Sequence, residues 1–266
     1  MTSLRIEVDG ASLHAESHGD GPPLVLVHGT GGNALSWWQQ VPRFARRFRV
    51  IVYDQRGFGR SRCTSEARHP RHLPDDLRAV LDAAGAQRAA LVCQSLGGWS
   101  GLPLALAHPE RVAALVLCGT PGGLLLPGTL RDLSQVPARA AGRPGVAGMA
   151  LAAGFAARDP ERYFLYEQIA ALNPSDTVAV YGRGLAETRV EPTRLAGFAV
   201  PTLVVAGSED AFFSVAALRE VAAAIPGARL EVIEGAGHSP YWEMPDAFHA
   251  RVEPFLEESG AWNASS

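Results

Sequence analysis

Residues 89–106 constrain this chain more than any other stretch. An apolar, strand-like run (Ala89, Ala90, Leu91, Val92) stops at Cys93-Gln94-Ser95, and Leu96-Gly97-Gly98-Trp99 leads at once into a helical pattern through Leu102, Leu104, Ala105 and Leu106. A strand that turns into a helix without a loop brings the two backbones close together, so the joint tolerates only small residues. Gly97 and Gly98 meet that need on the helix side. On the strand side Cys93, small but not glycine, stands two residues before Ser95. Ser95 is at the apex, where the turn strains its backbone and lifts its hydroxyl above the end of the strand.

The rest of the chain repeats the strand–helix theme. Leu24–Val27, Phe48–Tyr53, Arg111–Cys118 and Val200–Ala206 carry near-continuous apolar runs, as expected of strands buried on both faces of a parallel sheet. Helical spacing is expected over residues 34–46 (Leu35, Trp38, Val41, Phe44), 74–85, 214–224 and 244–257, with a further strand at 229–233. Residues 4–18, broken by Asp9-Gly10, read as an antiparallel hairpin, and 259–266 as a frayed tail. Between 121 and 195 the alternation stops, and seven prolines divide the stretch into short helical pieces. The expected architecture is α/β. Residues 1–120 and 196–266 form a core around a mostly parallel sheet, and 121–195 form one helical insertion, or cap, over the sheet's C-terminal edge.

Composition removes several chemistries. All 24 basic residues are arginine, so neither a lysine Schiff base nor a phosphate-binding P-loop lysine is available. Cys63, Cys93 and Cys118 are isolated, which suggests neither a metal site nor a disulfide framework. No cofactor is expected. A net charge of −3 without long runs of one sign gives no reason to expect nucleic acid or a membrane as partner. The first ten residues lack the apolar core of a signal peptide, and a cytoplasmic protein is expected.

A serine hydroxyl becomes a nucleophile only when a base takes its proton and a third group orients that base. Of the eight histidines, His14, His18, His69, His72, His108 and His249 read as surface residues. His238 lies in the glycine-rich loop Glu234–Pro240, after a strand and before the last helix, free to place its imidazole over the sheet edge. The carboxylate is expected after another strand end, at Asp210 of Gly207-Ser208-Glu209-Asp210, with Glu209 as the neighbouring alternative. Candidate donors to a developing oxyanion are the backbone N–H groups of Leu96 and Thr30. Asp54 and Arg56 read as holding the turn Arg56–Ser61.

With these motifs in this order, the chain resembles α/β-hydrolase-fold enzymes of the compact, capped type that includes esterases, enol-lactonases and cofactor-free perhydrolases. The resemblance rests on His28–Gly32, Asp54–Ser61, Cys93–Gly98, Gly207–Asp210 and Gly235–His238, and covers about residues 20–255. It implies a Ser95–His238–Asp210 triad, an acyl-enzyme and the two backbone donors, acting on a carboxylic ester or lactone. A serine rather than an aspartate nucleophile argues against dehalogenation and epoxide opening. Carbon–carbon bond hydrolysis or a non-hydrolytic reaction by the same triad, in a biosynthetic or catabolic pathway, stays open, as does a ligand receptor with little turnover. The expected partner is a small, partly hydrophobic acyl substrate. The expected pocket wall comprises His28, Trp37, Trp99, Leu125, Phe155, Tyr163, Phe164 and Trp242.

Overall fold

The computed structural model describes residues 1–261. The strands are β1 (Thr2–Val8), β2 (Ala11–His18), β3 (Pro23–Val27), β4 (Arg49–Asp54), β5 (Arg62–Cys63), β6 (Ala89–Gln94), β7 (Val112–Cys118), β8 (Thr202–Gly207) and β9 (Arg229–Ile233). They form one sheet in the order β1-β2-β4-β3-β6-β7-β8-β9, with the short β5 beside β2. The β1–β2 hairpin and the β2–β4 pair are antiparallel; every pair from β4 to β9 is parallel. The α/β expectation, with its mostly parallel sheet, is borne out.

The helices are α1 (Gln40–Phe44), α2 (Leu73–Ala83), α3 (Gly98–Ala107), α4 (Pro127–Ala140), α5 (Gly145–Ala150), α6 (Phe155–Arg158), α7 (Pro160–Ala170), α8 (Thr177–Gly184), α9 (Val215–Ala224), α10 (Pro240–Glu243) and α11 (Pro245–Glu258). Successive strand residues point to opposite faces, and both faces are covered. Val25, Val27, Leu91, Cys93, Leu115 and Leu117 pack with side chains of α2, α3 and α9. Leu24, Leu26, Ala90, Val92, Ala114 and Val116 pack with α1 and α11. Burial on both sides is why these strands read as unbroken apolar runs.

The chain runs from β3 to β4 on one side, then crosses to β6 on the other. That reversal opens a crevice at the carboxyl ends of β3 and β6, where open α/β sheets bind ligands. The segment from α4 to α8 lies between β7 and β8 in the chain.

Three local expectations are corrected. No single helix spans 34–46; a 3₁₀ turn over Ala34–Trp37, capped by Asn33, precedes α1. The tighter turn shifts the phase of the pattern, so Trp37 and Phe44 are buried while Leu35 and Trp38 are exposed. His249 is not a surface residue; it is buried on α11, its ring 5.3 Å from Phe44. Of the tail, Ala261 packs into the core, and residues 262–266 lie outside the described residues.

Where β6 turns into α3, a side chain on Gly101 would overlap the Cys93 sulfur. The bulk admitted on the strand at Cys93 is therefore accommodated by a missing side chain on the helix. Gly101→Ala is expected to destabilise the protein by about 1–3 kcal/mol, the usual range for overpacking a tight core. Cys93→Gly introduced beside it should restore much of that loss, as measured by urea unfolding of the single and double variants.

Candidate active site

Ser95 follows the last residue of β6 with φ +49°, and it is the one non-glycine residue with positive φ among the described residues. That left-handed conformation costs on the order of 1 kcal/mol or more and persists only where the surroundings impose it. Gly97 shows the constraint, since a Cβ there would lie 2.5 Å from the Val27 carbonyl oxygen at the end of β3.

The loop after β9 brings His238 to this apex. Its Nε2 lies 2.8 Å from Ser95 Oγ and its Nδ1 lies 2.9 Å from Asp210 Oδ2. The His238 and Asp210 side chains are 4% and 0% exposed, so this contact is nearly dry. Asp210 Oδ1 accepts the backbone N–H groups of Phe212 (2.7 Å) and Phe213 (3.1 Å), which aims the other oxygen at the imidazole. With Nδ1–H donated to that carboxylate, Nε2 is left to accept the serine proton. Glu209, the neighbouring alternative, is exposed and takes no part in this contact. From below, the Gln94 amide donates to the His238 carbonyl oxygen at 3.1 Å, tying β6 to the histidine loop.

Thr30 and Leu96 line the same cavity as Ser95 and His238. His28 does not. It is buried, donating Nδ1–H to the Gly29 carbonyl (2.8 Å) and accepting the Gln55 N–H at Nε2 (2.9 Å). Burial lowers its pKa and keeps it neutral, as that bonding pattern requires. Asp54 and Arg56 hold the neighbouring turn: Asp54 accepts the Ala34 N–H (2.7 Å) and the Arg60 N–H (2.8 Å), and Arg56 forms a bidentate pair with Asp76.

The cavity over Ser95 has a volume of about 580 Å³ and lies between the strand-end loops and the α4–α8 segment. Its wall is almost entirely apolar, with Leu133, Val146, Met149 and Leu185 facing Trp99, Phe212 and Phe213. No arginine and no carboxylate among the described residues lines it. Its titratable side chains are His238 and Tyr166, whose hydroxyl lies 3.3 Å from Ser239 Oγ.

Of the eight expected wall residues only Trp99 lies on the wall. Trp37, Phe155 and Trp242 are fully buried in the core instead. Leu125 packs against the Phe58–Trp99–Tyr181 cluster. The rotation of α7 turns Tyr166 toward the cavity, leaving Tyr163 against the core and Phe164 62% exposed. Large aromatic rings bury more area in a core than on a cavity wall, so size alone misleads. Phe212 and Phe213 carried a usable signal, two aromatics directly after a strand-end aspartate and alanine, and the Phe212 ring lies 4.4 Å from that of His238. The small apolar residues of α4 and α5 carried none.

Glu243 is a further residue that the sequence pattern does not single out. It is buried at the end of α10, where Oε1 accepts the Gly237 N–H (2.9 Å) and Oε2 accepts the Ala152 N–H (3.0 Å). Burial pushes its carboxyl up to about 7, against the pull of those two bonds and of Arg158, 3.6 Å away; Glu209 adds to the rise.

Residues 22–245 match the family model described as the alpha/beta hydrolase fold. The chain belongs to the alpha/beta hydrolase family. It is 33% identical to a protein named as the carbamate hydrolase RutD of Azorhizobium caulinodans, over 93% of this chain and 96% of that one. Among solved structures it resembles Est816, described as an N-acyl homoserine lactone degrading enzyme (30% identity, TM-score 0.79, 95% of this chain and 100% of that one). It also resembles a thermophilic esterase of Thermogutta terrifontis (27% identity, TM-score 0.83, 97% of this chain and 99% of that one). As a member of this family, the chain is a hydrolase.

The buried carboxyl has a consequence for stability. A carboxyl whose pKa rises from 4.5 to about 7 on folding contributes stability below 4.5 that is lost as pH climbs through 7. Wild type should therefore lose stability relative to Glu243→Gln between pH 5 and pH 8, by at most about 3 kcal/mol. Urea unfolding of both proteins at the two pH values checks this; parallel stability–pH curves would contradict it.

Proposed function

We propose that this hydrolase cleaves neutral carboxylic esters or lactones with an apolar acyl group, using Ser95 as nucleophile, His238 as base and Asp210 as its orienting carboxylate. The observation that carries the reading is the 2.8 Å contact between Ser95 Oγ and His238 Nε2 on the floor of an apolar cavity whose wall carries no arginine or carboxylate among the described residues. In this reading the α4–α8 segment is the cap that selects the acyl group.

His238 takes the Ser95 proton as Oγ attacks the substrate carbonyl. The negative charge passes to the carbonyl oxygen, where the backbone N–H groups of Leu96 and Thr30 receive it. The positive charge on His238 is balanced by Asp210, which is held in place by the Phe212 and Phe213 amides. The tetrahedral adduct collapses, His238 protonates the departing alkoxide, and Ser95 keeps the acyl group. Water then gives a proton to His238 and attacks the acyl carbonyl. Collapse of the second adduct returns that proton to Ser95 and releases the acid.

The wall bears on substrate choice. A free carbamate is an anion, and moving an anion from water into an apolar cavity without a cation carries a large desolvation cost. The similarity to RutD therefore supports the hydrolytic machinery more than a carbamate substrate. N-acyl homoserine lactones, the compounds that Est816 is described as degrading, are neutral and carry an apolar acyl chain, so their chemistry fits the wall.

Purified protein is expected to hydrolyse p-nitrophenyl butyrate and octanoate and to react with a fluorophosphonate at Ser95. Ser95→Ala should lower kcat by about 10³-fold or more; retention of full turnover by this variant would sink the mechanism. Tight ligand binding without wild-type turnover would favour a receptor. A hemisuccinate ester, with a carboxylate at the far end of its acyl group, should react at least about tenfold more slowly than the butyrate. Equal rates would show that the apolar wall does not set specificity.

A further inference from the structure

Glu243 is a buried carboxylate outside the Ser95–His238–Asp210 contact, and its surroundings do not suit a residue kept for packing. Burial of a carboxylate opposes ionisation, and a neutral side chain of the same size would fill the space at lower cost. What a carboxylate offers is two acceptor oxygens that can each take an N–H at the same time; glutamine offers one. Two converging N–H donors are present. One belongs to Gly237, the residue before His238, and the other to Ala152, between α5 and α6.

The two backbones meet here directly. A Cβ on Gly237 would overlap the Ala152 nitrogen, lie 2.7 Å from the Leu151 carbonyl carbon and 2.9 Å from Glu243 Oε1. Neighbouring bonds run the same way: Tyr166 of α7 meets Ser239, and Arg162 of α7 donates to the Trp242 carbonyl at 3.0 Å. The segment 237–243 is thus held from the side of α5–α7, and Glu243 supplies the buried carboxylate of that contact.

We propose that Glu243 is a positioning residue for His238, stapling the histidine loop to the α5–α6 turn so that seating of the α4–α8 segment and placement of the imidazole over Ser95 are one event. This rests on the reading of Ser95, His238 and Asp210 as the hydrolytic groups. Misplacing a proton-transfer group by a fraction of an ångström slows chemistry while leaving an apolar binding wall intact, so the loss should fall on kcat rather than KM.

The test uses the full chain, with Glu243→Gln, Ala152→Pro (which deletes the second donor) and the double variant. In Glu243→Gln, kcat for p-nitrophenyl butyrate is expected to fall about tenfold with KM changed less than about twofold. Amide hydrogen exchange should rise in segments 150–154 and 235–239 and stay unchanged in β6 and β7. Because both single variants break the same staple, their effects on kcat should not add. Unchanged kcat in Glu243→Gln, or fully additive effects in the double variant, overturns the proposal. A misfolded Ala152→Pro leaves the decision to Glu243→Gln. If wild type hydrolyses no ester and takes no fluorophosphonate, the reading of Ser95 as an ester-cleaving nucleophile fails separately. The low-field proton resonance of the His238–Asp210 hydrogen bond then decides: its loss or shift in Glu243→Gln supports the staple, and an unmoved resonance rejects it.

Discussion

The left-handed backbone of Ser95 is the constraint around which the molecule is built. A non-glycine residue at φ +49° is held there only because β6 and α3 are fixed on either side of it. That fixing comes from burial of β6 on both faces, from close approach of Gly97 to the end of β3, and from the fit of Cys93 against Gly101. The strain is the cost of lifting a hydroxyl clear of the sheet without a loop, on a rigid support rather than a mobile one.

The remaining polar groups of the site come from the ends of neighbouring strands, and parallel pairing sets their height. Val27 is level with Cys93 in the register of β3 and β6, and Gln94 with Cys118 in that of β6 and β7. The turn after β6 and the loops after β3, β8 and β9 therefore emerge at one edge and converge without long connections. Asp210 and His238 each have one function in the contact and a second bond that fixes their orientation: the Phe212 and Phe213 amides for the carboxylate, the Gln94 amide for the histidine backbone. Preorganisation of this kind is what the proposed acyl-transfer chemistry needs, because dipoles already in place need not reorganise as charge develops.

The segment from α4 to α8 belongs to this scheme as more than a cover. Its residues make the apolar wall, and its backbone touches the histidine loop through Ala152 and Glu243. Asp132 and Arg139 of α4 reach the other loop, with Asp132 accepting the Ser214 N–H at 2.8 Å and Arg139 donating to the Ala211 carbonyl at 3.2 Å. One segment therefore both walls the cavity and bonds to the loops that carry Asp210 and His238.

Much of this was legible in the sequence, for a local reason. Two-sided burial writes continuous apolar runs, and a tight strand–helix joint writes glycines, so the strands, the turn at Ser95 and the loops bearing Asp210 and His238 could be read without coordinates. Even the replacement of glycine by Cys93 was visible, though its complement at Gly101 was not, because that contact is made between a strand and the far side of a helical turn. The wall was poorly legible. Trp37, Phe155 and Trp242 have the size and apolarity of pocket residues yet lie in the core, while Val146 and Met149, ordinary apolar residues in the sequence, line the cavity over Ser95. Nothing in the local pattern separates Glu243 from the other glutamates, because its donor Ala152 lies 91 residues away in the chain. Order, spacing and local pattern determined the fold and which strand-end side chains meet at Ser95, since each depends on a few neighbours along the chain. The rotation of each short helix in the α4–α8 segment, and with it the cavity wall and the partner of Glu243, was decided by packing between distant residues, and only the tertiary structure contains that.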